Sequence, residues 1–163
     1  MKKILLTILF VLIGAFLIIQ LIRPEKNLAK VPSPHDIATA LPVPRNIKAV
    51  LQNSCYDCHS NNTRYPWYAE VQPIGWFLHD DVIHGKERLN FSEFSRYRLR
   101  TQFIKLQQIA TEVEDEEMPL PSYLMIHTDA QLSSEQRDHI VAWANAMRDT
   151  MKAIHPIDSL QRR

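Results

Sequence analysis

The sequence predicts an all-α protein, a small helical domain behind an N-terminal transmembrane helix, and three observations carry that prediction. Apolar residues recur at helical spacing wherever a period is clear, no segment shows the sustained alternation of a strand, and the chain opens on a long uncharged apolar run. At 163 residues the chain holds one modest core, so a large multidomain enzyme is excluded. Only Gly14, Gly75 and Gly85 are glycines, which leaves no room for a Gly-rich phosphate loop or a dinucleotide fingerprint. With 19 Lys+Arg against 18 Asp+Glu and no basic stripe interleaved with aromatics, no nucleic-acid partner is expected.

Met1-Lys2-Lys3 precede an uncharged run over residues 4–22. As a helix it spans roughly 28 Å, close to the hydrocarbon thickness of a bilayer. A cleaved signal peptide has a shorter apolar region and a small-residue cleavage site, whereas this run ends in Gln20-Leu21-Ile22-Arg23-Pro24, so residues 1–22 read as an uncleaved anchor. Residues 23–44 hold Pro24, Pro32, Pro34, Pro42 and Pro44 without an apolar period and read as an extended, semi-rigid tether. The folded unit is expected over 45–152, with a tail at 153–163.

Within that unit Ile47, Val50 and Leu51 mark a short helix leading to Cys55. Residues 72–84 predict a second, with Ile74, Phe77, Leu78 and Val82 inward and Gly85 as its stop. Leu99, Phe103, Leu106, Ile109, Ala110 and Val113 make a longer amphipathic stripe. Ser133 with Gln136 is a capping-box signature before Ile140, Trp143, Ala144, Met147 and Met151, the closing helix. Residues 61–71 and 116–132 read as irregular.

The decisive motif is Cys55-Tyr56-Asp57-Cys58-His59, the C-x-x-C-H pattern of c-type haem attachment, and it uses both cysteines of the chain. Two thiols one helical turn apart can each add to one vinyl group on the same haem edge, and the next residue offers its imidazole as an axial ligand to iron. A redox C-x-x-C belongs in a βαβ context, which is missing here. A tetrahedral zinc site wants four ligands, and adjacent Cys58 and His59 are awkward for one ion. A disulfide between the two cysteines leaves His59 without a role.

The stretch from Asn53 to Tyr68, which contains Arg64-Tyr65-Pro66-Trp67-Tyr68, resembles the bacterial haem-binding domain proteins, a group of membrane-tethered, cytochrome-c-like domains. Pro73, Trp76, Gly85, Leu89-Asn90-Phe91-Ser92, Met118-Pro119, Leu132-Ser133 and Trp143 extend the likeness over residues 45–148. The resemblance implies one c-type haem held through Cys55, Cys58 and His59 in an extracytoplasmic domain. Many members have a histidine between Trp76 and Gly85, where this chain offers His79 and His84.

The second axial position therefore has five candidates, Met118, Met125, His79, His84 and His127. Met118 is favoured, because a thioether is a natural ligand opposite histidine and Pro119 and Pro121 stiffen its loop between two predicted helices. Met125, Met147 and Met151 read as gap-filling core residues. Tyr65, Trp67, Tyr68 and Trp76 are expected either to pack in the core or to wall the porphyrin, with Arg64 or the Trp67 indole within reach of a propionate. The acidic run Glu112, Glu114, Asp115, Glu116, Glu117 could steer a basic redox partner.

These readings combine into a single-pass protein of the bacterial cytoplasmic membrane whose domain, in the periplasm, carries one covalent haem c and passes single electrons to an unidentified redox partner protein. The alternative is a haem-based sensor with an open sixth position. Nothing assigns the distal polar groups that an enzyme would need.

Overall fold

The structure, a computed structural model, describes residues 1–160. Its helices are α1 (Lys2–Ile19), α2 (Ile37–Ala40), α3 (Arg45–Ser54), α4 (Tyr56–His59), α5 (Ile74–Arg88), α6 (Leu99–Glu114), α7 (Pro121–Leu124), α8 (Ser134–Ile154) and α9 (Ile157–Leu160). Three 3₁₀ turns, at Trp67–Glu70, Phe91–Arg96 and Thr128–Ala130, break the two segments read as irregular and the stretch before α6. The described residues contain no strand, only an isolated bridge between Leu28 and Asn62, so the all-α reading stands.

No residue of α1 is buried against protein, and it is the one helix among the described residues long and apolar enough to cross a membrane. Such a helix is apolar on every side, as a membrane-spanning helix is. The core lies instead between α6 and α8, where Phe103, Leu106, Ile109 and Val113 meet Ile140, Trp143 and Met151. Ile47 and Leu51 of α3, with Phe91 and Phe94, close it. The start of α8 is fixed as its sequence predicts: Gln136 N–H donates to Ser133 Oγ at 3.1 Å, and Ser133 N–H donates to Gln136 Oε1 at 2.8 Å.

Three expectations need correction. Gly85 does not stop its helix, because α5 runs on to Arg88; a Cβ at Gly85 would lie 2.7 Å from Cys58 O, so the glycine serves close contact with α4. Of the α5 residues expected inward, Val82 alone is buried, while Ile74 and Phe77 are exposed and turn with Leu78 toward a cleft. Met125 is no core residue either, being 82% exposed, although Met151 is buried and Met147 packs on the core.

Residues 23–44 are not a free tether. Prolines keep the segment out of a long helix, but its backbone still needs partners, and it finds them on the domain. Thr63 N–H donates to Asn27 O at 3.0 Å, Ala29 N–H to Asn61 O at 2.9 Å, and Trp143 Nε1–H to Pro42 O at 3.1 Å. Ile37 is 0% exposed within the core, with Ala40, Leu41 and Val43 packed against it. The tail behaves likewise as far as it is described, since Leu160 of α9 is buried in the same core; residues 161–163 lie outside the described residues.

Truncating Ile37 should therefore destabilise the whole domain. Ile37→Ala is expected to cost about 2–5 kcal/mol in a chemical denaturation midpoint, whereas Val31→Ala, on an exposed part of the same segment, should stay within about 0.5 kcal/mol. Equal, negligible effects would mean that the segment is a spacer after all.

Candidate functional site

The helix α3 ends at Ser54, and Cys55 leaves helical geometry at φ −128° before the single turn α4 begins. Cys58 N–H and His59 N–H both donate to Cys55 O, at 3.3 and 3.0 Å, so the turn closes on its first cysteine. Cys55, Cys58 and His59 all line one cleft of ≈ 460 Å³. A second lobe of ≈ 210 Å³ shares Cys55, His59, Arg88 and Met118 with the first and is walled by Leu51, Phe91, Ile109 and Val113.

His59 Nδ1 lies 3.0 Å from Leu89 O, a bond that places the proton on Nδ1 and the lone pair on Nε2. Burial holds its pKa below the usual histidine value, which keeps the ring in the neutral form that ligates metals. Burial likewise pushes both thiols up to about 12, with Cys58 adding to the effect on Cys55 and Asp81 to that on Cys58. They are held as thiols, unlike the low-pKa thiolates of redox and catalytic cysteines.

Asp57, 5% exposed in the middle of the motif, organises what surrounds the turn. Its Oδ1 accepts Arg64 N–H and Nε–H, both at 3.1 Å, and its Oδ2 accepts Arg64 Nη2–H at 3.1 Å and Tyr123 O–H at 2.8 Å. The carboxylate beside it raises the Arg64 pKa, and burial with that same bond raises the Tyr123 pKa. Through Tyr123 the motif is tied to α7, and thus to the loop that carries Met118. The other end of that loop is set by α6, which stops where Glu116 takes φ 59°. Glu117 N–H and Met118 N–H then both reach back to Glu112 O, at 3.0 and 3.1 Å.

Four residues named from the sequence thus share one cleft: Cys55, Cys58, His59 and Met118. His84 and His127 line it too, whereas His79 lines a separate pocket beside Arg23 and Lys26, and Met125 lines neither lobe. Of the four aromatics, only Tyr68 is in the cleft wall, bonded to His127. Trp67 is 80% exposed, Trp76 bonds Ile22 O, and Tyr65 O–H accepts from Asn27 N–H at 2.8 Å. Arg64 is taken up by Asp57 instead of reaching into the cleft.

The cation that sequence reading missed is Arg88, which lines both lobes, joined in the second by Lys105. A signal was present, because Ile74, Phe77, Leu78, Asp81, Gly85 and Arg88 follow one helical stripe. A flat, largely apolar group with acidic edges fits this donor set. Two thiols, a neutral imidazole and a thioether share the walls, with the Arg88 cation in both lobes and that of Lys105 in the second.

Because Tyr123 is the link between the motif and the Met118 loop, Tyr123→Phe should lower stability by about 1.5 kcal/mol or more, the range for a hydrogen bond to a charged group. The loss should appear as faster proteolysis within 115–127. An unchanged protease pattern would show that the loop is held by α6 alone.

The comparisons with known proteins agree with that chemistry. A family described as haem-binding domain matches residues 14–146, which takes in α4, α5, Met118 and most of α8. Searches of curated proteins and of solved structures return no match. The chain belongs to the haem-binding domain family.

Proposed function

We propose that the protein is a membrane-anchored monohaem c-type cytochrome that transfers single electrons outside the cytoplasm. The observation that supports this most is the convergence of two thiols, one neutral imidazole and one thioether on a single cleft in a chain of the haem-binding domain family. When bound, haem supplies a one-electron iron couple.

The chain's residues have separate tasks in this reading. Cys55 and Cys58 would hold the group covalently, each S–H adding across one vinyl double bond with no oxidant consumed. His59, oriented by Leu89 O, would offer Nε2 to the iron. Met118 would offer its thioether, and Arg88 with Lys105 would be the cations available to acidic edges. Leu51, Phe91, Ile109 and Val113 give that lobe an apolar wall, which would favour the less charged ferrous state. Attachment at C-x-x-C-H sites takes place after export, so the domain lies on the periplasmic side of the cytoplasmic membrane with α1 crossing it. A redox partner protein meets it there.

Covalent attachment is tested by haem staining of a denaturing gel after expression with a cytochrome maturation system. The wild-type band should stain, and Cys55→Ala/Cys58→Ala should not, since thioether bonds survive denaturation and coordination alone does not. A colourless wild-type band overturns the c-type assignment.

The sixth ligand is tested separately by Met118→Ala. The oxidised wild type should show the weak sulfur-to-iron charge-transfer band at the red end of the spectrum, and the variant should lose it. The variant should also bind carbon monoxide when reduced and shift to a lower potential, within the roughly 0.8 V that axial ligands span. If the variant stays low-spin and gas-resistant while His84→Ala or His127→Ala does not, the second ligand is a histidine of the same cleft.

A further inference from the structure

The end of α1 is fastened to α5. Gln20 Nε2–H donates to Gln72 O at 3.1 Å while Gln20 Oε1 accepts Gln72 N–H at 2.9 Å, and Trp76 Nε1–H donates to Ile22 O at 2.8 Å. Arg23 pairs with Glu70 at 3.1 Å, and Lys26 pairs with the same carboxylate. Lys86 then bonds the Asn27 side chain. The segment 20–27 therefore runs along α5 from its first turn toward its last. That direction makes the N-terminus of α5 its bilayer end, with Lys86 about 15 Å further along the helix than Trp76.

Depth follows from the same contacts. A helix starting at Lys2 needs about 20 residues to cross the hydrocarbon, so Gln20 and Ile22 lie at its far boundary, and Gln72 and Trp76, bonded to them, share that level. Near this level three large apolar side chains stand in the open: Trp67 at 80% exposure, Phe77 at 70% and Ile74 at 45%. Glu70, next to them, is neutralised by two cations. Exposed indole and aromatic side chains beside Arg and Lys are the composition favoured at a membrane–water interface.

We infer that Trp67 enters the headgroup–acyl boundary of the bilayer that α1 crosses. Ile74 and Phe77, which line the first lobe, set that edge of the cleft beside the same boundary. Arg23 and Lys26 lie where lipid phosphates are, and their charges favour an anionic surface. This inference rests on the reading of α1 as an uncleaved anchor.

The test uses the full haem-loaded chain in phosphatidylcholine–phosphatidylglycerol vesicles that contain a phospholipid with a carbene-generating diazirine near its glycerol end. After photolysis and trypsin, the peptide 65–86 holds Trp67, Ile74 and Phe77 together, separate from the anchor peptide 4–26, which continues past Arg23 because the Arg23–Pro24 bond resists trypsin. Labelling of both, with the core peptide around Trp143 and the exposed Ile154 and Ile157 left unmarked, is the expected result. Trp67→Glu should reduce the label on 65–86 severalfold and leave that on 4–26 unchanged. Label on 4–26 alone overturns the inference and leaves the face to a protein partner. Label on Ile154 and Ile157 equal to that on 65–86 also overturns it, because the reagent is then reading mere exposure. Absence of label on 4–26 overturns the anchor reading itself, and the inference with it.

Discussion

A carboxylate buried inside the turn that carries both cysteines is the constraint around which this site is arranged. Asp57 lies between the two cysteines, and a charge that deep is tolerated only if its oxygens are fully engaged. The chain meets that demand from two directions. Arg64 closes over it from the following loop and also donates Nη2–H to Asn53 O at 3.0 Å, binding the end of α3 into the same network. Tyr123 reaches it from α7, 66 residues away in sequence. Thr63 adds a bond from its hydroxyl to Asp57 O at 2.6 Å, so the backbone of the turn is held as well as its side chain. The thiols and the imidazole take a fixed orientation from this network together with the close packing of α5 on α4 at Gly85, since α4 itself is only one turn long.

Much of the fold could be read from the sequence because the large helices are amphipathic in the ordinary sense. The stripes of α6 and α8 face one another as their spacing demands, and the Ser133–Gln136 box marks the true start of α8. The reading failed where a local pattern had two meanings. The apolar stripe of α5 has the same period as a core stripe, yet it faces a cleft, and spacing alone cannot tell protein interior from a cofactor's bed. Gly85 looked like a helix stop because glycine serves that role often, but its missing side chain is used to bring α5 against Cys58. The Pro-rich segment was read by composition as a spacer, and its few apolar residues, Ile37 above all, carried the contrary signal.

At the site the same division holds. Cys55, Cys58 and His59 are contiguous in sequence, so their proximity was legible as chemistry. Met118 was legible only through its prolines and its place between helices, and the structure adds the two bonds to Glu112 O that bring it back over the end of α6. The Tyr123–Asp57 bond and the cleft-lining Arg88 depend on long-range packing, for which a single sequence holds no local signature. Three histidines near the motif in space, His59, His84 and His127, are distinguished by their surroundings. The ring of His59 is buried and bonded to a backbone carbonyl, His84 is bonded to Asp80 on its own helix, and His127 is bonded to Tyr68 and stacked on Tyr123 at 4.2 Å between centroids.

The apolar helix α1 and the cleft meet at α5. One surface of α5 takes the chain after α1 through Trp76, with Gln72 just before its first turn, while another lines the cleft through Phe77, Leu78 and Asp81. A flexible tether would let the domain sample all orientations, so that a partner could approach the cleft from any side. With Gln20, Ile22, Arg23 and Lys26 all bonded to the domain, rotation about the anchor requires several of these contacts to break together. The exposed ion pairs contribute little to that resistance, but the paired amides of Gln20 and Gln72, the latter 1% exposed, lie out of water where a broken bond is expensive. The domain is thus held in one attitude to α1 and does not swing freely from it.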